Sequence, residues 1–349
     1  MARKTVLVTG GAGFIGSHIV DLLIKNNYEV VIVDDLSFGR EENINKKARF
    51  YKLNITDQKR LAEVFIQEKP DYVCHEAAQI SVSFSVRDPL FDAQTNILGS
   101  LNLLQCCLMN HQVKGIVFAS SGGTIYGEPE DFPISEDYPF RPQSPYGISK
   151  VAIEYYLDFY QKNYNLDYIS LRYGNVYGPR QDPYGEAGVI AIFIEKMLKE
   201  EIPTINGDGE YIRDYIYVED VAQANLLALQ NMVKLPKVVQ EIEKAKEKEK
   251  ITETKVKAKT LTKTESESEI KFNGFNLGTG KGISVNEIFY LLKEIVKFSH
   301  TAHYGPPRAG DLRKNILDCH LIKEILGWQP RFNFSEGLEK TVNWFKENI

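Results

Sequence analysis

The chain has 349 residues, a net charge of −5 and a hydrophobic fraction of 43%. This composition is that of an ordinary globular protein, and the charge is too mild and mixed to favour a nucleic acid or an acidic membrane surface as partner. The length exceeds what a single hydrophobic core usually holds, so we expect two domains.

The cysteine pattern and the N-terminal sequence bear on bound metals and on location. Cys74, Cys106, Cys107 and Cys319 form no pair or cluster with the spacing of a zinc site or a disulfide framework. We therefore expect reduced thiols and no metal. The apolar run in MARKTVLVTGG is too short for a signal peptide, and no run approaches the length of a membrane span. The expectation is a soluble, cytoplasmic protein.

Short Val- and Ile-rich runs alternate with amphipathic stretches over the first half of the chain. Strands are predicted at 5–10, 28–34, 71–78, 114–121 and 167–174. Helices are predicted at 15–26, 57–68, 89–111 and 145–164. This alternation predicts an α/β fold with a doubly wound parallel sheet covered on both faces. After about residue 180 the pattern is less regular, and we place a smaller α+β domain at 181–349.

One segment of the second domain differs from the rest in composition. From Gln240 to Lys271 it lacks aromatic residues, glycine and proline, and consists mostly of Lys, Glu, Thr and Ser. Such a segment cannot bury enough apolar surface to fold alone. We assign a charged low-complexity insertion at about 236–271, and favour a solvated surface insertion over a docking arm for a partner.

The glycines after the first strand predict a phosphate-binding turn. Gly10, Gly13 and Gly16 allow a tight turn, a close approach of the backbone to a pyrophosphate, and close packing of helix on strand. The anion then lies on free N–H groups at the helix N-terminus. Asp34 ends the second strand, where a carboxylate accepts from ribose hydroxyls and repels a 2′-phosphate. A Rossmann-type NAD-binding domain at 1–180 is the interpretation.

The stretch SPYGISK places Tyr146 and Lys150 on one face of a helix, one turn apart. Ser144 is predicted as the N-cap and Pro145 as the first helical residue, so Tyr146 falls in the first turn. A phenol has a pKa of about 10 and is a poor base near neutrality. A neighbouring ammonium and the helix dipole favour its ionised form, so the pair is suited to proton transfer at a carbinol.

Several motifs, in the same order along the chain, resemble the extended short-chain dehydrogenase/reductase family and its nucleotide-sugar 4-epimerases. They include TGGAGFIGSH, HEAAQISVSFSVRDPLFDAQTNILGSLNLL, SSGGTIYGE, LRYGNVYGPRQ and GDGEYIRDYIYVEDVA. The resemblance covers nearly the whole chain outside the insertion. It implies a Rossmann-type sheet, NAD as cofactor, a UDP-sugar as substrate and a homodimer through the predicted helices 89–111 and 145–164.

The resemblance also assigns roles to matching positions of this chain. The catalytic residues it implies are Tyr146, Lys150 and a loop hydroxyl. The cofactor residues are Gly10, Gly13, Phe14, Ile15, Gly16, Asp34, Asp35, Leu36, Ser37, Phe38, Gly39, Asn54, Ile55, Ala77, Ala78, Gln79, Asn96, Tyr146, Lys150 and Gly174. The substrate residues are Ser81, Thr124, Asn175, Arg213, Arg308, Asp311 and Asn315. The family usually has an aspartate where Asn54 stands.

The loop SSGGTIYG departs from many relatives, because Gly122 and Gly123 stand where a serine or threonine is common. Thr124 is the first candidate for the catalytic hydroxyl and Ser121 the second. Dehydratases and decarboxylases of the family carry an acidic residue where this chain has Thr124. Elimination therefore lacks its base, and hydride return to either face of a 4-keto sugar is the expected chemistry.

The resulting prediction is NAD-dependent C4 epimerisation of a UDP-sugar, with UDP-glucose and UDP-galactose as the default pair. Asn315 matches a gate beside the hexose and is smaller than the tyrosine of some relatives, so UDP-N-acetylglucosamine is an alternative substrate. UDP-glucuronate is another, with Arg180 as the cation near C6 or else in a structural ion pair. A dehydrogenase releasing NADH and a non-catalytic NAD-binding sensor or scaffold are the remaining alternatives.

Overall fold

The computed structural model describes residues 3–109, 113–184, 188–232, 273–307 and 312–348. The predicted insertion at 236–271 and the predicted substrate residues Arg308 and Asp311 lie outside the described residues. Within them, no helix is long and apolar enough to cross a membrane. No three His, Cys, Asp or Glu side chains of this part of the chain come together as metal ligands.

Twelve strands are found in the described part of the chain. They are β1 (Thr5–Thr9), β2 (Glu29–Asp34), β3 (Arg49–Lys52), β4 (Tyr72–His75), β5 (Gly115–Ser121), β6 (Asp167–Tyr173), β7 (Asn175–Tyr177), β8 (Thr204–Asn206), β9 (Ile212–Tyr217), β10 (Gly274–Leu277), β11 (Gly282–Ser284) and β12 (His303–Gly305). Seven form one parallel sheet in the order β10-β6-β5-β4-β1-β2-β3. The predicted doubly wound parallel sheet is thus confirmed.

Eleven α-helices are found in the same residues. They are α1 (Phe14–Lys25), α2 (Gln58–Glu68), α3 (Val82–Arg87), α4 (Pro89–Ala93), α5 (Gly99–Met109), α6 (Pro145–Tyr164), α7 (Val189–Leu198), α8 (Val218–Asn231), α9 (Val285–Val296), α10 (His320–Leu326) and α11 (Phe334–Asn348). The helix predicted at 89–111 is wrong as one continuous α-helix. A π-helical turn, Gln94–Leu98, separates α4 from α5, and such turns are frequent at functional sites.

The parallel strands are buried on both faces, which explains their nearly continuous apolar sequence. Side chains alternate along β1, so Val6 and Val8 belong to a core on one face and Leu7 to a core on the other. Helices α1 and α8 pack together on the first face, while α2 and α5 pack together on the second. The carboxyl ends of these strands therefore meet at one edge of a rigid sheet.

The second half of the chain contributes to the large sheet as well as to two smaller ones. The smaller sheets have the orders β11-β9-β7 and β12-β8, and a third apolar core lies among α7, α9 and α11. Strand β10 pairs in parallel with β6, and α8 packs against α1, although both elements follow residue 180. The division into domains at residue 180 stays a prediction.

Candidate active site

The glycine-rich turn after β1 lies at the N-terminus of α1. Gly10 has a φ of +69° and donates its N–H to the carbonyl of Val33 at 2.8 Å. A Cβ on Gly16 would lie 2.2 Å from the carbonyl oxygen of Gly10, so glycine permits this close packing of helix on turn. Gly13 is the N-cap of α1, whose first turn has no acidic residue. The helix dipole and first N–H groups therefore favour an anion here.

Asp34 is fixed by the backbone around the end of β2. Its Oδ2 accepts from the N–H of Ala12 at 3.0 Å, and its Oδ1 accepts from the N–H of Leu36 at 2.9 Å. Burial raises the pKa of Asp34, while these two hydrogen bonds act in the opposite direction. The carboxylate lines a pocket beside the glycine turn, where it suits ribose hydroxyls.

Asn54 makes a contact that explains its departure from the usual aspartate. Its amide nitrogen donates to Oδ2 of Asp35 at 2.6 Å. An aspartate at this position would place a second negative charge at that distance, which is unfavourable. Asn54 also accepts from the N–H and Oγ1 of Thr56. Asn54 therefore links the loop after β3 to the loop after β2 through its bond to Asp35.

Most of the predicted cofactor residues line this one pocket. They are Gly10, Gly13, Phe14, Ile15, Gly16, Asp34, Asp35, Ser37, Phe38, Gly39, Asn54, Ile55, Ala77 and Ala78, and Ser81 of the substrate set lines it too. Four charged lining residues were not assigned to the cofactor from sequence: Arg40, Glu76, Arg180 and Asp182. Glu76 could have been noticed, because it is a carboxylate near the carboxyl end of the predicted strand 71–78.

Gln79 and Asn96 bond to each other through a buried network. The N–H of Gln79 donates to Oδ1 of Asn96 at 2.8 Å, and Nδ2 of Asn96 donates back to the Gln79 carbonyl at 2.9 Å. Both side-chain amides also donate to Oδ1 of the fully buried Asp92. Ser149 donates to the other oxygen, Oδ2, at 2.6 Å. Charge-assisted bonds therefore tie the loop after β4 to the Gln94–Leu98 turn and to α6.

Helix α6 begins at the residue that the sequence predicts. Oγ of Ser144 accepts from the N–H of Gly147 at 3.1 Å, and Pro145 is the first helical residue. Tyr146 lies in the first turn, where its N–H donates to Oγ of Ser85 at 3.1 Å. This bond fastens the start of α6 to α3, so the position of the half-buried phenol is set by two helices.

Lys150 lies one turn further along α6 and is 5% exposed. Its Nζ donates to the carbonyl of Ala119 at 2.8 Å and lies 5.5 Å from the centre of the Tyr146 ring. Burial lowers the pKa of Lys150 to about 8, although the negative charges of Glu76 and Asp92 oppose this effect. A strand carbonyl thus holds the ammonium beside the phenol.

Burial raises the pKa of the Tyr146 phenol above its usual value, and the charges of Asp92 and Glu76 add to this rise. A hydrogen bond with the Ser121 side chain acts in the opposite direction. The sequence predicts that Lys150 lowers the pKa of Tyr146. The described protein groups alone instead raise this pKa. A positively charged nicotinamide ring adds a charge of the sign that favours the phenolate.

The two candidate loop hydroxyls have different surroundings. Ser121 forms the hydrogen bond with Tyr146. Thr124 follows it in the same turn, with its N–H donating to the Ser121 carbonyl at 3.3 Å. Its Oγ1 is buried and has no hydrogen-bond partner in the described part of the chain. The structure thus places Ser121, the second candidate, at the phenol. The hydroxyl of Thr124, the first candidate, has no partner among the described residues.

Two of the predicted substrate residues that the structure describes, Asn175 and Arg213, lie on the neighbouring strands β7 and β9. Asn175 of β7 is in register with Tyr215 of β9. Arg213 lies within β9, and its Nη1 donates to the carbonyl of Ile212 at 2.9 Å. Gly174 precedes β7, and its N–H donates to a carbonyl of β10. The small sheet therefore approaches the carboxyl edge of the large one.

Asn315 connects this small sheet to the loop that follows β5. Its N–H donates to the Ile212 carbonyl at 3.0 Å, and its Nδ2 donates to the Gly122 carbonyl at 3.1 Å. The residue is 1% exposed, and its Oδ1 has no partner among the described residues. A buried acceptor without a partner in the described part of the chain is thus held next to Gly122, which follows Ser121.

Arg180 lies at the cofactor pocket, beside α1. Its Nη2 pairs with Oδ2 of Asp21 at 2.7 Å, whereas its Nη1 is buried without a partner in the described residues. Its φ is +69°, a left-handed conformation that is costly for arginine. His18 of α1 bonds the carbonyl of Pro179 at 3.0 Å, so the loop is fastened to α1 at the arginine and at the residue before it.

These features fit a dinucleotide. The N-terminus of α1 and the unpartnered Nη1 of Arg180 suit a pyrophosphate, and Asp34 suits a ribose. Lys150 bonds the Ala119 carbonyl near the carboxyl end of β5, with Tyr146 beside it, although neither side chain lines the described pocket. NAD, when bound, supplies the hydride chemistry that no side chain of the site can perform.

Comparison with known proteins agrees with the fold and the pocket. A model of the NAD dependent epimerase/dehydratase family matches residues 6–240. A UDP-glucose 4-epimerase from Thermotoga maritima, solved with UDP-glucose, is 48% identical with a TM-score of 0.84, over 98% of this chain and 99% of that one. A Thermus thermophilus UDP-glucose 4-epimerase, solved with NAD, is 40% identical with a TM-score of 0.82, over 99% of this chain and 100% of that one.

A third similar structure differs in its sugar. It is a UDP-N-acetylglucosamine 4-epimerase from Methanobrevibacter ruminantium, solved with UDP-N-acetylmuramic acid, at 35% identity and a TM-score of 0.83 over 100% of both chains. The family model covers well over half of the chain, and the likeness to the epimerases is nearly full-length. The expected cofactor, NAD, is confirmed by the family. The chain belongs to the NAD dependent epimerase/dehydratase family.

Proposed function

We propose that the protein catalyses the C4 epimerisation of a UDP-sugar, with UDP-glucose and UDP-galactose as the default pair. The observation that carries this proposal is the arrangement of Tyr146, Ser121 and Lys150 at the carboxyl end of β5. The likeness to UDP-glucose 4-epimerases supports the choice of the UDP-sugar. A carbinol oxidation needs a group that takes the hydroxyl proton, and this arrangement supplies one.

Each side chain of the arrangement has a separate role in the proposal. Tyr146 takes the proton of the sugar 4-hydroxyl and returns it when the 4-keto sugar is reduced. Ser121 orients the phenol through its hydrogen bond. Lys150 supplies a fixed positive charge, held by the Ala119 carbonyl, that favours the phenolate while the proton is away. We retain Thr124 only as the alternative hydroxyl.

An N-acetylated sugar is a second candidate substrate, with which Asn315 is compatible. The side chain is small, and its buried Oδ1 lacks a partner within the described chain. An acetamido N–H is a donor that would satisfy this acceptor, which a 2-hydroxyl also could. A uronate is less favoured, because Arg180 pairs with Asp21 and lines the cofactor pocket.

Product analysis tests the proposal. The purified protein is incubated separately with UDP-galactose, UDP-N-acetylgalactosamine and UDP-glucuronate, without added NAD, and the products are resolved by chromatography. Conversion of UDP-galactose to UDP-glucose is expected, and Tyr146→Phe is expected to lose it by about 10²- to 10⁴-fold while still binding NAD. No conversion of any sugar by a protein that retains NAD would support the non-catalytic alternative.

We also propose that the protein forms a homodimer through α4, α6 and their neighbours. Exposed apolar side chains gather there: Val86, Leu90, Phe91, Leu98, Ile148, Tyr155, Tyr156 and Phe159. Contiguous apolar surface of this kind usually marks an interface. Leu90→Glu combined with Phe159→Glu is expected to give a monomer by light scattering, whereas Ile202→Glu, an exposed control on another surface, is expected to leave the dimer intact.

A further inference from the structure

Glu76 is a charged residue of the pocket that the proposed proton transfer does not use. It follows β4 directly, and its N–H donates to the Thr9 carbonyl of β1 at 3.2 Å. It therefore lies at the carboxyl end of the central strands, where open parallel sheets bind their ligands. The side chain is half-buried and lines the cofactor pocket together with Gly10, Ala77 and Ala78.

Two buried residues hold the carboxyl group of Glu76 as an acceptor. Nδ2 of Asn225 donates to the Val221 carbonyl at 3.0 Å, which fixes the orientation of the amide because a carbonyl only accepts. The same Nδ2 donates to the Tyr173 hydroxyl at 2.8 Å. The Tyr173 proton is thus left for Oε1 of Glu76, at 3.0 Å. This chain of donors favours the ionised carboxylate.

The charged and titratable groups coupled to Glu76 lie on three elements: α6 with Lys150 and Tyr146, β6 with Tyr173, and β4 with Cys74. Lys150 of α6 and the Tyr173 bond lower the pKa of Glu76, but burial is the largest effect and raises it to about 7. In turn, Glu76 raises the pKa of Lys150, Tyr146 and Cys74. The carboxyl group therefore changes charge near neutrality and responds to any further charge placed in the pocket.

We propose that the Glu76 carboxylate sets the redox balance of the bound NAD by favouring its oxidised form. This inference rests on the proposed epimerisation only in the benefit it assigns to Glu76, which is prompt return of the hydride to the sugar. Reduction adds two electrons and one proton, as a hydride, and removes one positive charge from the nicotinamide. A nearby negative charge stabilises the charged ring over the neutral one, and by reciprocity the oxidised ring favours ionised Glu76.

The test compares the wild-type holoprotein with Glu76→Gln, a neutral side chain of the same shape. Bound NAD is equilibrated with a mediator couple of known potential, without sugar, and its reduced fraction is read from the absorbance of the dihydronicotinamide. At about pH 8, where Glu76 is ionised, the variant is expected to show a reduced-to-oxidised ratio about tenfold higher, or about 30 mV for two electrons. At about pH 5.5 the two proteins are expected to agree.

Glu136→Gln is the matched control. Glu136 is another half-buried carboxyl whose pKa burial raises to about 7, but it accepts from the N–H of Asn276 and does not line the pocket. Its variant is expected to leave the potential unchanged. Equal potentials in wild type and Glu76→Gln at both pH values would overturn the inference, as would a similar shift in Glu136→Gln.

A second variant keeps the inference testable if Glu76→Gln does not fold. Tyr173→Phe removes the donor that lowers the pKa of Glu76, so the pH at which the potential begins to depend on ionised Glu76 is expected to rise. An unmoved transition would contradict the inference. A protein with the predicted potentials that converts no UDP-sugar would overturn the proposed function and leave the role of Glu76 standing.

Discussion

The Nζ of Lys150 lies 5.5 Å from the centre of the Tyr146 ring while donating its hydrogen bond to a strand carbonyl. The Lys150 ammonium therefore acts on the Tyr146 phenol through its charge. The Ala119 carbonyl of β5 fixes the position of the ammonium. The helix that carries both residues is fastened at its start by Ser85 and along its length by the bond of Ser149 to Asp92. The position of the proton-transfer pair thus depends on the buried polar side chains of Ser85, Ser149 and Asp92.

Lys150 is expected to give the activity an alkaline limit. Its pKa is lowered to about 8, so the ammonium that favours the phenolate is lost as the pH rises above that value. Lys150→Arg keeps the charge, because a guanidinium stays protonated to above pH 12. The pH profile of kcat/KM is expected to fall above about pH 8 in the wild type and at higher pH in the variant. If kcat/KM fell at the same alkaline pH in both proteins, the fall would belong to a group other than Lys150.

Ser121 and Thr124 can be separated by paired variants. Ser121→Ala removes the bond to the phenol and is expected to lower kcat by at least tenfold. Thr124→Val removes a buried hydroxyl that has no partner among the described residues, so the unfolding free energy of the variant is expected to rise by about 1 kcal/mol with activity nearly unchanged. Denaturant titrations and initial rates measure both effects. A loss of kcat confined to Thr124→Val would restore Thr124 as the catalytic hydroxyl.

Arg180 is expected to bind the pyrophosphate of NAD through Nη1, for which the described part of the chain offers no partner. Arg180→Met keeps much of the side-chain volume and removes the donors, so the Kd for NAD is expected to rise at least tenfold by calorimetry. Asp21→Asn keeps the guanidinium and weakens only the pairing at Nη2, so its effect is expected to be smaller. An unchanged Kd in Arg180→Met would mean that the arginine serves only to fasten its loop to α1.

Burial of Glu76 is expected to make stability depend on pH. Its pKa rises from 4.5 to about 7 on folding, so between these values the folded protein holds more protons than the unfolded chain. This carboxyl therefore contributes stability that is fully present below pH 4.5 and is lost as the pH rises through about 7. Glu76→Gln is expected to lose less Tm between pH 5 and 8 than the wild type. Parallel Tm curves would contradict this account.

The fold was predictable because its signals are local. Valine- and isoleucine-rich runs give β1 and β2, the glycines give the turn before α1, and Ser144 with Pro145 gives the start of α6. The π-helical turn that carries Asn96 was not predictable, because its sequence continues a helical pattern and the bonds to Gln79 and Asp92 come from elsewhere in the fold.

The charges of the site depend on burial, which sequence spacing does not reveal. The i,i+4 spacing correctly places Lys150 beside Tyr146, but the spacing does not show that burial raises the phenol's pKa. Nor does it show that Ser121, rather than Thr124, reaches the phenol. The sequence offers Arg180 of GPRQ either as a cation near C6 of a uronate or as a member of an ion pair, and its contact with Asp21 places it at α1.

The central claim is that hydride leaves C4 of the sugar and returns to the same carbon within one active site. UDP-galactose carrying deuterium at C4 tests it most directly, with the UDP-glucose product examined by mass spectrometry and NMR. The account predicts UDP-glucose that retains deuterium at C4, with none in the solvent and no free reduced cofactor. Product in which solvent hydrogen has replaced the deuterium would contradict it, because the C–H bond would then be broken by proton abstraction.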